Sequence, residues 1–267
     1  MESPNFSQPY LSVVIPAYNE EKTIGRVLGR VMAVPGLREA IVVDDGSRDQ
    51  TAAIAEAFAA HEPRVRVIRQ AKNEGKTEAL KTGFAHTTGE VVVVQDADLE
   101  YDPAEIPGLI QPIVDGYADV VYGSRFLVRR AARVLYFYLY LANRFLTFFS
   151  NVVTNVNLTD VETGYKAFRG DIIRQMRITA SGFGFEIEVT AKIAKLKCAI
   201  YESPISYYGR TYQDGKKIGV WDGVAALWYV VKFNLFCGLK GSYRQVPAVR
   251  AERELSNQLA ARSVAGS

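Results

Sequence analysis

The chain has 267 residues, 48% of them hydrophobic, enough apolar material for the large core of an α/β fold. Its formal charge of +3 is too small for bulk nucleic-acid binding, and its two histidines, His61 and His86, exclude a multi-histidine zinc site. The two cysteines, Cys198 and Cys237, show no metal or redox spacing and read as core thiols in a reducing compartment.

Residues 1–9 are polar and lack the apolar stretch of a signal peptide, so they are expected to form a simple N-terminal extension. Residues 11–16 then read as a strand and 20–32 as a helix, with Asn19 placed to cap it. A second strand, 39–44, ends in Asp44-Asp45-Gly46-Ser47, where Gly46 suits a turn and Ser47 the start of a helix over 49–60. Strand 65–69, helix 76–86, strand 91–95, helix 102–115 and strand 119–122 follow. Strands alternating with helices imply parallel βαβ units in a doubly wound sheet.

The second half changes character. Residues 129–133 are basic, and 134–149 hold seven aromatics, Tyr136, Phe137, Tyr138, Tyr140, Phe145, Phe148 and Phe149. Strand-like segments at 165–169 and 199–208 flank helical patterns at 171–176 and 186–196. A basic, glycine-containing loop, 209–219, leads into 220–239, which carries Trp221, Trp228, Tyr229, Phe233 and Phe236. The expected organisation is a catalytic domain over 10–219, an amphipathic helix over 220–240 and a mobile polar tail over 241–267. No window holds 18 uninterrupted apolar residues, so no membrane span is expected.

Three expected strand ends carry polar side chains: Pro16 to Glu20, Asp44 to Ser47, and Asp96-Ala97-Asp98. In a parallel sheet such ends converge on one rim, the condition for a shared site. Asp96 and Asp98 close a β-branched run, Val91 to Val94. In extended backbone, side chains two apart point the same way. The two carboxylates therefore suit one Mg²⁺ or Mn²⁺ ion, which takes oxygen ligands and leaves room for substrate phosphates. Each segment alone is equally a turn; together on one edge they point to a site.

The series Val14-Ile15-Pro16-Ala17-Tyr18-Asn19-Glu20, Val42-Val43-Asp44-Asp45-Gly46-Ser47, Asp96-Ala97-Asp98-Leu99 and Gly123-Ser124-Arg125 resembles the inverting family 2 glycosyltransferases, over roughly residues 10–240. Thr163-Gly164-Tyr165-Lys166-Ala167-Phe168-Arg169, Phe185-Glu186-Ile187-Glu188, and Arg210 followed by Lys216 make it most similar to dolichyl-phosphate mannose synthases and related polyprenyl-phosphate hexosyltransferases. The resemblance implies a GT-A fold with a mostly parallel sheet, and a nucleotide-sugar donor such as GDP-mannose or UDP-glucose. It implies that Pro16, Tyr18, Glu20, Val43 and Asp45 hold the nucleoside. Asp96 and Asp98 would hold metal and diphosphate, with backbone contacts from Ala97 and Glu100 as a third metal ligand. Arg125, Arg210 and Lys216 match cationic positions around the phosphates, and Lys217 adds a further charge.

A phosphate monoester has a second pKa near ~6, so at neutral pH it is already an oxyanion that needs cations and no base. The cluster Arg129, Arg130 and Arg133, with Arg125 and Arg210, suits a polyprenyl or dolichyl phosphate acceptor. A hydroxyl acceptor would need a carboxylate base, for which Asp160 and Glu162 are the candidates. The aromatic segments are either core helices or interfacial ones, where Trp and Tyr lie beside Lys and Arg. The second reading implies a cytoplasmic protein held at the membrane face without spanning it. A dinucleotide oxidoreductase is disfavoured, because no Gly-x-Gly-x-x-Gly follows the first strand. A non-catalytic nucleotide-sugar-binding or adaptor protein is the remaining alternative.

Overall fold

A computed structural model gives the fold and describes residues 8–127, 136–209 and 220–249. Strands β1 (Leu11–Ala17), β2 (Leu37–Asp44), β3 (Val65–Arg69), β4 (Val91–Val94), β5 (Val120–Ser124), β6 (Lys166–Arg169) and β7 (Ile200–Pro204) form one sheet in the order β3-β2-β1-β4-β6-β5-β7. Neighbours run parallel except β6, which is antiparallel to both β4 and β5. The helices are α1 (Ile24–Met32), α2 (Thr51–Ala59), α3 (Lys76–Ala85), α4 (Ile106–Val114), α5 (Phe137–Thr154), α6 (Gly170–Gln175), α7 (Phe185–Leu196), α8 (Val220–Leu235) and α9 (Leu239–Ser242).

Strand periodicity divides the core between the two faces. In β1, Leu11, Val13 and Ile15 face one way and join α1 and α4, whereas Val14 faces the other and joins α3 and α7. Val91 and Val93 of β4 follow the first group and Val92 and Val94 the second. A strand sandwiched like this needs apolar residues throughout, which is why β4 is four valines. Helix α1 buries Ile24, Val27, Leu28 and Val31, the i, i+3, i+4, i+7 stripe that faces a sheet. Each such side chain contributes roughly 1.5–3 kcal/mol on burial. The apolar faces therefore hold the frame, and the polar strand ends are left to line the rim.

Several expectations change in detail. Helix α1 starts at Ile24, because Asn19 is not its cap: Asn19 is left-handed, with φ 54°, and its Oδ1 accepts the Arg48 amide at 2.9 Å. Ser47 likewise caps no helix, and its hydroxyl accepts the Asn19 amide at 2.9 Å. These two bonds tie the β1 and β2 ends together. The expected helix 102–115 opens as a 3₁₀ turn, Pro103–Glu105, because the Asp102 carboxylate accepts the Ala104 amide at 3.1 Å. Helix α5 runs on to Thr154 and stops at left-handed Asn155. The expected strand 199–208 is regular only over Ile200–Pro204, after which the Tyr208 amide donates to the Glu100 carbonyl at 3.0 Å.

The aromatic helices divide their aromatics between core and surface: Phe233 of α8 is buried, and Phe149 and Tyr229 pack against the core. Helix α5 buries Leu146, Thr147 and Ser150, while Phe137 and Phe148 are 72% and 66% exposed. Tyr138 and Phe145 beside them, Trp228 on α8 and Phe236 just beyond it are also exposed. Among the described residues, no helix is long and apolar enough to cross a membrane.

Candidate active site

The ends of β1, β2, β4 and β5 meet at one rim, and β6, running the opposite way, brings its approach segment to the same rim. On the β1–β2 side, Pro16 pairs in register with Val43 and Ala17 with Asp44. The buried Asp45 carboxylate accepts the amides of Glu74 and Gly75 at 2.8 and 2.9 Å. Burial pushes its carboxyl above the usual range, helped by the Glu74 and Asp44 charges and opposed by those two amides. Gly46 is left-handed at φ 68°, and a Cβ there would lie 2.6 Å from the Lys72 backbone, so the turn requires glycine. Glu20 is nearly buried; its amide donates to Thr51 Oγ1 at 2.7 Å and its carboxylate accepts the Thr23 hydroxyl at 3.0 Å. The Val43 and Ala97 side chains lie in the apolar core, leaving only their backbone at the rim.

The aspartate pair is built differently from the extended geometry expected of it. Strand β4 ends at Val94, and residues 97–98 form a turn that left-handed Leu99, φ 63°, closes. Within it Asp98 Oδ1 accepts the Glu100 amide at 3.0 Å. Asp96 engages a residue that sequence reading missed: Lys76 Nζ lies 2.9 Å from Asp96 Oδ1 and 3.3 Å from Glu186 Oε1. Burial works against the Lys76 charge, but Asp96 and Glu186 outweigh it and hold the ammonium well above the usual lysine range. Gly164 covers the same carboxylate, and a Cβ there would stand 2.5 Å from Asp96 Oδ2. Glu100 turns instead toward Tyr207, whose hydroxyl donates to its Oε2 at 3.0 Å. Accordingly, among the described residues no three His, Cys, Asp or Glu side chains are grouped to hold an ion, and Asp96, Asp98 and Glu100 do not form a three-carboxylate cluster.

Across the rim, Arg125 forms a two-pronged pair with Asp160, Nε to Oδ2 at 2.6 Å and Nη2 to Oδ1 at 2.7 Å. Its backbone amide also donates to Asp160 Oδ2, at 3.2 Å. The guanidinium lies over the Tyr207 ring, 5.2 Å from its centroid. Tyr101 stacks on Tyr165 at 5.1 Å, and its hydroxyl accepts the Gly164 amide at 3.2 Å. Asp160, a candidate base from sequence, is fully buried and engaged on both oxygens as the counter-ion of Arg125. Arg129, Arg130, Arg133, Arg210, Lys216 and Lys217 lie outside the described residues.

Glu162, between Asp160 and Gly164, is half-buried, and its Oε1 is enclosed without a hydrogen-bond partner. Burial pushes its carboxyl up to about 7; Glu186 and Asp160 add to the rise, and Lys166 and Arg125 oppose it. A carboxyl raised in the folded state keeps its proton between its unfolded value, 4.5, and about 7, so folding stability falls as pH rises through that window. Glu162→Gln is expected to remove this fall, gaining on the order of 1–3 kcal/mol relative to wild type above pH 7 and little below pH 5. Chemical denaturation from pH 4.5 to 8 measures it; parallel curves for the two proteins would count against the assignment.

The pattern that describes Glycosyl transferase family 2 matches residues 12–177. The chain is 30% identical over 216 residues to undecaprenyl-phosphate mannosyltransferase from Micrococcus luteus, covering 77% of this chain and 86% of that protein. It is 31% identical over 213 residues to dolichol-phosphate mannosyltransferase from Pyrococcus furiosus, covering 78% of this chain and 59% of that one. The solved structure of glucosyl-3-phosphoglycerate synthase from Mycobacterium tuberculosis in complex with Mn²⁺, uridine diphosphate and phosphoglyceric acid shares the fold. Its TM-score is 0.64 at 24% identity, covering 86% of this chain and 79% of that chain.

Proposed function

The chain belongs to Glycosyl transferase family 2, and from that premise we propose that it moves a hexose, with inversion, from a nucleotide sugar to a polyprenyl or dolichyl phosphate. The observation that carries this reading is the pairing at the rim. Asp96 faces buried Lys76, Arg125 stands opposite, and Asp160, the carboxylate nearest Arg125, is fully engaged by it. With Asp160 committed to Arg125 it is not available as a base, which suits an acceptor that arrives as an oxyanion. The relatives act on undecaprenyl and dolichol phosphates by name.

In this reading Pro16, Tyr18, Glu20, Asp45 and the Val43 backbone hold the nucleoside. Arg125, with Arg210 and Lys216, faces the diphosphate. The carboxylates of Asp96 and Asp98 offer the hard oxygen donors that Mg²⁺ or Mn²⁺ take, whereas Glu100, bonded to the Tyr207 hydroxyl, would have to leave it to join them. Such an ion would neutralise charge on the departing diphosphate. The acceptor phosphate oxygen, positioned by Arg129, Arg130 and Arg133, attacks the anomeric carbon from the face opposite the diphosphate. The C1–O bond breaks as the new one forms, and its electron pair leaves with the diphosphate. No base and no covalent enzyme intermediate take part. The exposed aromatics of α5 and α8 suit the headgroup region of a bilayer, where the acceptor's tail stays, and support a location at the cytoplasmic membrane face.

The test is a donor screen with polyprenyl phosphate, Mn²⁺ or Mg²⁺, and radiolabelled GDP-mannose, UDP-glucose, UDP-galactose and UDP-GlcNAc. Label should enter a mild-acid-labile lipid and vanish with EDTA or Asp98→Ala. A donor that binds without labelling any lipid would shift the reading to a hydroxyl acceptor, for which Glu162, poised near neutrality, is the base.

A further inference from the structure

Transfer to a phosphate needs no base, which leaves Glu162 without a task in the reaction. Its enclosed Oε1 is an acceptor with no donor. Leaving such a group unmatched costs stability, and folded chains keep few of them without a reason. Its position supplies one. Glu162 lies two residues from Asp160, clamped to Arg125, and two from Gly164, which presses on Asp96. It is thus fixed between the groups that face the two ends of the diphosphate, against which the transferred sugar must lie. Glu186, in the first turn of α7 and 5% exposed, is the charge that acts most strongly on it, and both segments border Lys76: a Cβ on Gly164 would stand 3.2 Å from Lys76 Nζ, which Glu186 pairs at 3.3 Å. Glu188, two residues on in the same turn, accepts the Thr179 and Ala180 amides at 2.8 and 2.7 Å and pairs with Lys192, holding that turn in place.

We propose that Glu162 and Glu186 form the subsite that reads the hydroxyl groups of the transferred sugar, admitting a neutral hexose and rejecting a hexuronate. Above about pH 7, where Glu162 has given up its proton, its carboxylate accepts hydrogen bonds, and the hydroxyls of a hexose donate them. A sugar carboxylate brings no donor and meets like charge. The ammonium groups nearby are engaged: Lys76 by Asp96 and Glu186, and Lys166 by the Val161 and Thr163 carbonyls. Neither is placed to neutralise an incoming acid without abandoning a buried partner.

The proposal rests on the nucleotide-sugar reading, and the experiment separates the two. Binding is measured by calorimetry about one pH unit above the point where Glu162 ionises, with Mn²⁺ and no acceptor, for UDP, UDP-glucose and UDP-glucuronate, and for GDP, GDP-mannose and GDP-mannuronate. With the matching base, wild type is expected to prefer the hexose over the hexuronate by roughly 10-fold or more. Glu162→Gln is expected to shrink that preference by roughly 10-fold while binding of the bare diphosphate stays within about twofold. A base acting only on an acceptor would leave these acceptor-free ratios unmoved. Equal wild-type binding of hexose and hexuronate overturns the proposal even if the variant fails to fold, and so does an unchanged ratio in Glu162→Gln. Failure of both bare diphosphates to bind overturns the donor reading itself.

Discussion

Arg125→Ala is expected to lower stability by about 3–5 kcal/mol and to abolish transfer, because it strands the fully buried Asp160 carboxylate. The size follows from the asymmetry of buried pairs. The intact pair gains little over an apolar replacement, but one charge left behind keeps its whole desolvation penalty. Asp160 makes the case severe, since Arg125 reaches it through two side-chain bonds and a backbone amide. The double variant Arg125→Met, Asp160→Asn removes both charges and should recover much of the stability while remaining inactive. Arg125→Lys keeps the charge but loses the fork and the contact with Tyr207, so it should fall between wild type and alanine in both respects. Urea denaturation beside a transfer assay separates these outcomes. An Arg125→Ala protein as stable as wild type would show that the pair is a surface contact.

Asp96→Ala is expected to lower turnover by roughly 10²–10³-fold, the range for removing one preorganised electrostatic partner of the reacting charges. A second effect identifies the cause. In the folded chain Lys76 divides its charge between Asp96 and Glu186, so Asp96→Ala leaves it one carboxylate, at 3.3 Å. The variant should therefore melt below wild type; Lys76→Met alone would strand the buried Glu186, so only the further pair Lys76→Met and Glu186→Gln should recover stability, without restoring activity. Melting curves with and without Mn²⁺ plus nucleoside diphosphate complete the comparison. Wild type should gain stability from the pair of ligands, and Asp96→Ala should gain much less. An unaltered gain in Asp96→Ala would remove Asp96 from the ligand site.

The parts that local pattern can carry were legible in the sequence. The apolar runs of β1, β2 and β4 are long and closed by polar residues, so both the strands and the rim could be read from them. What depended on distant contacts could not. The spacing of Asp96 and Asp98 suggested one extended edge, but a left-handed Leu99 turns the chain there. Val43 and Ala97 stand in motif positions, yet packing takes their side chains into the core. Asp160 looked like a base because nothing nearby in sequence shows that Arg125, 35 residues earlier, claims it. Lys76 did leave a signal, which was overlooked. A lysine at the first position of a helix, after a glycine, opposes the positive end of the helix dipole and needs a nearby acid to stay there. Its acids lie 20 and 110 residues away. The reversal of β6 was equally hidden, since strand direction depends on where the chain returns.

That reversal has a mechanical side. A parallel strand would force its crossover to finish at the opposite edge of the sheet. Because β6 runs backwards, the excursion through α5 leaves the rim at Arg125 and comes home to it at Asp160. It is a closed loop, buckled at its base by the guanidinium and by the Ser124–Thr159 hydroxyl contact at 2.6 Å. Tyr140 of α5 packs on Phe126, the neighbour of Arg125, with ring centroids 5.6 Å apart. The segment that carries α5 therefore begins and ends at the two partners of a single ion pair.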